Sequence, residues 1–94
     1  MALSPDQAEA LALQALTFLL SDEDLLPVFM GSSGASADDL RAGASDPAFL
    51  GSVLDFLLMD DAWIMRFCDG QRLPYEAVMQ ARAALPGGEA VHWT

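Results

Sequence analysis

The sequence predicts an all-α protein, a compact orthogonal or globular bundle of five to six short helices around a central helix near Pro47–Met59. Three observations carry this. Apolar residues recur at three- and four-residue spacing along most of the chain. Most of these stretches open on a capping residue or proline and close on glycine or proline. β-branched residues are few and scattered, and no alternating stretch of any length argues for a strand. Segments this short favour crossed packing over an up-and-down four-helix bundle, and no internal repeat is visible.

Ser4-Pro5-Asp6-Gln7 starts the first helix, with Ser4 as N-cap, Pro5 at the first helical position and Gln7 completing a capping box. The helix should run from Pro5 to about Leu20. Ala8, Leu11, Ala12, Ala15, Phe18 and Leu19 form its buried stripe. Leu13, Leu16 and Leu20 make a second, narrower apolar row on roughly the opposite side. A helix apolar on two sides is either sandwiched in the core or keeps one face for a partner.

Ser21-Asp22-Glu23-Asp24 places a cap and acids at the positive end of a second helix, near Asp22–Met30, stopped at Gly31. Pro27 must fall in its first turn or so, and Gly31-Ser32-Ser33-Gly34 reads as a loop. Ser36 with Asp39 repeats the cap pattern ahead of one or two turns around Ala37–Ala42, ended by Gly43. Asp46-Pro47 opens the strongest helix. Around its wheel Phe49, Leu50, Val53, Leu54, Phe56, Leu57 and Leu58 leave only a strip held by Ser52 and Asp55, which marks a helix that others wrap. Asp60-Asp61 restarts a helix over about Asp61–Cys68, terminated by Asp69-Gly70. Leu73-Pro74 begins the last one, Pro74 to Leu85, with Ala77, Val78, Ala81 and Leu85 inward, and Pro86-Gly87-Gly88 ends it. Residues 1–86 therefore form one helical domain and 87–94 a flexible tail.

Composition bounds the function. The 94 residues carry 14 acids against four arginines, a net charge of −10, and 53% are hydrophobic. Scaling laws let such a chain bury about 64% of its extended surface, enough for a small core without metal or disulfide. A mean hydropathy of +0.30 argues against disorder. Nucleic-acid binding runs on Lys and Arg; there is no Lys, and Arg41, Arg66, Arg72 and Arg82 do not cluster in sequence. The longest apolar stretch, Ala10–Leu20, is too short for a bilayer, which takes about 20 residues. Residues Met1–Glu9 lack the basic side chains of a secretion signal, and the acidity also opposes anchoring to anionic lipid. A cytoplasmic protein with a reduced thiol, Cys68, is the expectation.

Asp46-Pro47-Ala48-Phe49-Leu50 through Val53-Leu54-Asp55-Phe56-Leu57-Leu58, then Phe67-Cys68, Ala81-Arg82-Ala83-Ala84-Leu85-Pro86-Gly87-Gly88 and His92-Trp93, form one larger pattern. Together they resemble the DUF3572 family, small bacterial proteins of about this length known mainly from alphaproteobacteria. The likeness covers nearly the whole chain. It implies a cytoplasmic bacterial protein and brings no activity, ligand or catalytic residue.

Chemistry-bearing residues read as structure. Cys68 precedes Asp69 and lies near a helix C-terminus, both unfavourable to a thiolate, so it is expected buried and inert. His92 stands alone in the tail, short of the three or four ligands of a zinc site. Asp22-Glu23-Asp24, Asp38-Asp39 and Asp60-Asp61 sit at helix starts and are expected to cap them. Counted from Asp22, the calcium-loop template meets Pro27 and Ser33 where it needs Gly and Glu. Gly31-Ser32-Ser33-Gly34 has the G-x-x-G outline of a phosphate-binding loop but no basic residue. Arg66 and Asp69 are spaced to pair on the helix surface.

These readings predict a non-enzymatic module with no cofactor, metal or inferable small-molecule ligand. Its binding residues for a protein partner or a second copy are Leu13, Leu16, Leu20, Trp63 and Trp93, since the first helix is apolar on two sides and large aromatics and methionines recur at interfaces; Met59 and Met65 add apolar surface. Trp93 either folds back on the core or is presented to a partner. A charge-mediated binder of a basic protein is the alternative, and a metal-dependent enzyme using Asp60 and Asp61 the third.

Overall fold

The computed structural model describes residues 3–85, which form six helices: α1 (Pro5–Ser21), α2 (Leu25–Ser33), α3 (Ala37–Gly43), α4 (Pro47–Leu57), α5 (Asp61–Gln71) and α6 (Glu76–Ala84). The expected tail 87–94, with His92 and Trp93, lies outside the described residues.

Helix starts follow the capping chemistry of the sequence. Ser4 and Gln7 form a reciprocal capping box, with the Gln7 amide 3.1 Å from Ser4 Oγ and the Ser4 amide 3.0 Å from Gln7 Oε1. Ser36 and Asp39 repeat it at α3. Asp46 and Asp60 accept from the amides of Ala48 and Ala62. At α2 the cap is Asp22, three residues ahead of the first helical residue, its Oδ1 accepting from both Asp24 and Leu25 at 3.0 Å. That displacement moves α2 to Leu25 and puts Pro27 in its first turn, where no amide donor is missed.

Helix ends depart from expectation in two places. Gly31-Ser32-Ser33 is the last turn of α2 rather than a loop. The left-handed residue is Gly34, at φ 75°, whose amide closes on the Met30 carbonyl. Likewise Asp69-Gly70 does not end α5. The helix continues to Gln71, and Arg72 takes the left-handed cap at φ 58°. Leu73 packs against the core and donates its amide to the Cys68 carbonyl at 2.9 Å, so tertiary anchoring dictates this stop. Smaller differences follow the same logic. α4 ends at Leu57, two residues before Met59, because the Met59 and Asp60 amides tighten onto Phe56 and Leu57. α6 starts at Glu76 rather than Pro74.

α4 is the hub, packed on α1, α3, α5 and α6, while α1 lies against α2, α4 and α6. Leu50, Val53, Leu54 and Leu57 of α4 are sealed against Leu19 and Ala15 of α1 and Val78 and Ala81 of α6. The alanines at Ala8, Ala12, Ala15, Ala77 and Ala81 let these helices approach closely, since interaxial distance is set by the side chains at the contact. Each large apolar side chain so buried contributes about 1.5–3 kcal/mol before ordering costs. The Cα radius of gyration, 12.2 Å, is that of a compact globule of this length, about 12 Å by the usual scaling.

An aromatic run carries the second half of the core. Phe29 of α2 meets Phe49 and Phe56 of α4 edge-on, with centroids 6.2 and 5.1 Å apart, and Phe56 stacks on Trp63 of α5 at 4.6 Å. Phe18 of α1 tilts against Phe67 of α5 at 5.5 Å. The short α3 presses on this run through Gly43. A Cβ there would lie 2.2 Å from Phe49 Cδ2, so the absence of a side chain is what lets α3 sit on the ring. No polar or charged residue is buried among the described residues.

Candidate functional site

Of the five residues expected to bind a partner, four lie among the described residues, and of these only Leu13 and Leu20, both on α1, are exposed. Leu16 is not: it is 3% exposed and belongs to the core, which corrects its assignment to the outward row. The reason is the wide buried arc of a helix that packs on α2, α4 and α6 and meets α5 through Phe18. At about 100° per residue, Leu16 falls about 60° nearer the centre of that arc than Leu13. Trp63 is half-buried, its ring spent on stacking over Phe56. Trp93 lies outside the described residues.

The charged candidates are engaged in the fold. Arg66 does not pair with Asp69; its guanidinium donates to Asp22 Oδ2, 44 residues away. Asp22 thus caps α2 with one oxygen and ties the α1–α2 elbow to α5 with the other. Arg82 of α6 donates to Asp55 of α4 at 2.6 Å. The acids at 38–39 and 60–61 stand at helix starts, as capping predicts. No group of three His, Cys, Asp or Glu side chains positioned to hold a metal occurs among the described residues. No helix among them is long and apolar enough to cross a membrane. Cys68 is fully buried. Burial first, then Asp69 and Glu76, push its thiol above the ordinary value, which disfavours the nucleophilic thiolate.

Leu13, Leu20, Val28 and Met59 are exposed singly, while Met65, Tyr75 and Met79 meet between α5 and α6. α5 rests on α4 and α6 rests on α1 and α4, and a groove of about 370 Å³ opens between them. Ile64, Met65, Tyr75 and Met79 line it, with the carboxylates of Asp61 and Glu76 at its margin. Met65 is 46% and Met79 63% exposed, so two unbranched thioether side chains stand in solvent beside a half-buried isoleucine. A larger depression, about 420 Å³, is walled by Phe18, Ser21, Asp22, Glu23 and Asp24 and is mostly polar turn. Another, about 370 Å³, lies over the polar α2–α3 connection. A fourth, about 300 Å³, is lined by Gln14, Thr17, Phe18, Ser21 and Gln71, and of the four only the α5–α6 groove is lined by more than two large apolar side chains.

The field at the groove is negative. The Tyr75 hydroxyl donates to Asp69 Oδ1 at 2.7 Å, bridging the last turn of α5 to the start of α6. That hydrogen bond, followed by burial and the charge of Asp69, raises the Tyr75 phenol above its ordinary value. Sequence reasoning treats Met65 as loose apolar surface and misses Met79 and Tyr75. The available signal was positional: Met65 and Met79 lie off the inward stripes of their helices, where a long apolar side chain has no core to enter.

Comparison with curated proteins and with solved structures returns no match. The family comparison does, and it spans all six helices: over residues 5–88 the chain matches the family described as protein of unknown function (DUF3572), and it belongs to that family.

Proposed function

We propose that this chain is a small non-enzymatic interaction module of the cytoplasm that binds a protein partner through the α5–α6 groove. One observation carries the reading: Met65, Met79, Tyr75 and Ile64 line one groove, whereas the other exposed large apolar side chains, Leu13, Leu20, Val28 and Met59, line none of the grooves described above. Methionine adapts its shape to a partner at small conformational cost, and aromatic and methionine side chains are enriched at interfaces. The engagement of the acids as caps and the burial of Cys68 support a non-catalytic role. A buried thiol without a partner cysteine suits a reducing compartment.

The test is affinity capture from the native cytoplasm with the wild-type chain and with the Met65→Glu/Met79→Glu variant, after circular dichroism shows both equally helical. A protein retained by the first and lost by the second supports the groove. A partner retained equally by both overturns it.

A further inference from the structure

The identity of the groove's occupant deepens this reading and rests on it. We propose that the groove receives a basic amphipathic helix of a partner protein, its apolar anchors on Ile64, Met65, Tyr75 and Met79 and its Lys or Arg residues against Asp61 and Glu76.

Charge complementarity selects the occupant. Asp61 and Glu76 are exposed at the margin, and Asp69 stands next to Tyr75. The nearby cations do not pair with them: Arg66 is turned to Asp22, Arg82 to Asp55, and no ion pair joins Arg72 to an acid among the described residues. The whole chain, these acids included, carries a net charge of −10. A second copy is thereby disfavoured, because an isologous pair sets each margin of acids against the same acids and joins two chains of −10. An acidic or neutral segment gains nothing from the margin.

The shape selects a helix. No strand, and so no sheet edge to extend, exists among the described residues. α5, at 11 residues, is about 16 Å long, which matches two to three turns of a partner carrying anchors at i, i+3 or i+4, and i+7.

The experiment uses the full chain with ¹³C-labelled methionine methyls and two synthetic peptides of about 18 residues, long enough to be helical. One is a Leu/Lys amphipathic helix, the other its Leu/Glu counterpart with the same pattern. Met59, at 69% the most exposed methionine among the described residues and outside the groove lining, is the internal control. The expected result is that the Leu/Lys peptide shifts Met65 and Met79 saturably, leaves Met59 in place, and binds at least about tenfold tighter than the Leu/Glu peptide. The Asp61→Asn/Glu76→Gln variant should lose most of that preference.

Five outcomes overturn the proposal. If both peptides bind equally at Met65 and Met79, the basic partner falls and the apolar groove stands. If the Leu/Lys peptide moves Met59 as much as Met65 and Met79, or no methyl moves, both fall. If Met65 and Met79 shift with protein concentration alone, the occupant is a second copy. If Trp93→Ala in the full chain, without peptide, moves those two methyls, the occupant is the chain's own tail.

Discussion

Replacing Gly43 with alanine isolates the contact that seats α3 on the aromatic run. The new Cβ would lie 2.2, 2.4 and 2.7 Å from Cδ2, Cγ and Cε2 of Phe49. Carbon pairs rest at about 3.5–4.0 Å, so ring or helix must retreat by more than about 1 Å. Overpacking of this size costs about 1–3 kcal/mol. If the ring swings aside, it also loses its edge contact with Phe29, worth about 0.5–1.5 kcal/mol. Alanine's better helix propensity returns at most about 1 kcal/mol, and less at the final residue of α3. The expected net loss is about 1–3 kcal/mol, each kcal/mol being about 4–8 °C of Tm for a domain this size. Urea titration followed by circular dichroism should show a lower midpoint at unchanged slope. The decisive measurement repeats the substitution in a Phe49→Ala background. There the clash has no partner, and Gly43→Ala should be neutral or stabilising, a coupling of about 1 kcal/mol or more. A penalty that persists without the ring, or none with it, refutes the packing argument.

Gly31 and Gly70 behave oppositely: both are helical and a Cβ at either would meet nothing within 4 Å, so alanine should stabilise by about 0.5–1 kcal/mol in the same titration. Gly34→Ala, at φ 75°, should destabilise. Asp22→Ala removes the α2 cap and the tie to Arg66 together and should cost about 1–3 kcal/mol; Arg66→Met loses only the half-exposed pair and should cost under about 1 kcal/mol, shrinking in salt. Alkaline stability should fall because Cys68 and Tyr75 hold their protons more tightly folded than unfolded. Their contribution is fully present below the unfolded values of about 9 and 10 and is lost as pH rises through the folded ones. Cys68→Ala and Tyr75→Phe should each flatten that decline, and an unchanged slope in both would exclude these groups.

Local chemistry made the helix starts legible. Ser4, Ser36, Asp46 and Asp60 act within three residues of themselves, so their caps are written in sequence. The ends were less so, because either of two glycines could close α2 and an arginine closes α5. The choice depends on what the following residue packs against, as with Leu73. Leu16 and the Arg66–Asp22 tie share that origin: one depends on how many helices surround α1, the other on two segments 44 residues apart. The groove lay further out of reach. Met65 and Met79 become a surface only once α5 and α6 are placed on α4, and no periodicity within either helix encodes that placement.

The packing of α1 against α6 has a consequence for synthesis. At about 5–20 residues per second, roughly 3–13 s separate the end of α1 from the completion of α6. Through that interval Ala8, Ala12, Ala15 and Leu19 lack part of their cover, and the nascent chain presents the stripe that the finished molecule hides most completely. The part of that cover supplied by α6 therefore cannot form before α6 is made. The ribosome-bound protein and the released one offer different apolar surfaces: the first helix early, and the groove beside the last helix thereafter.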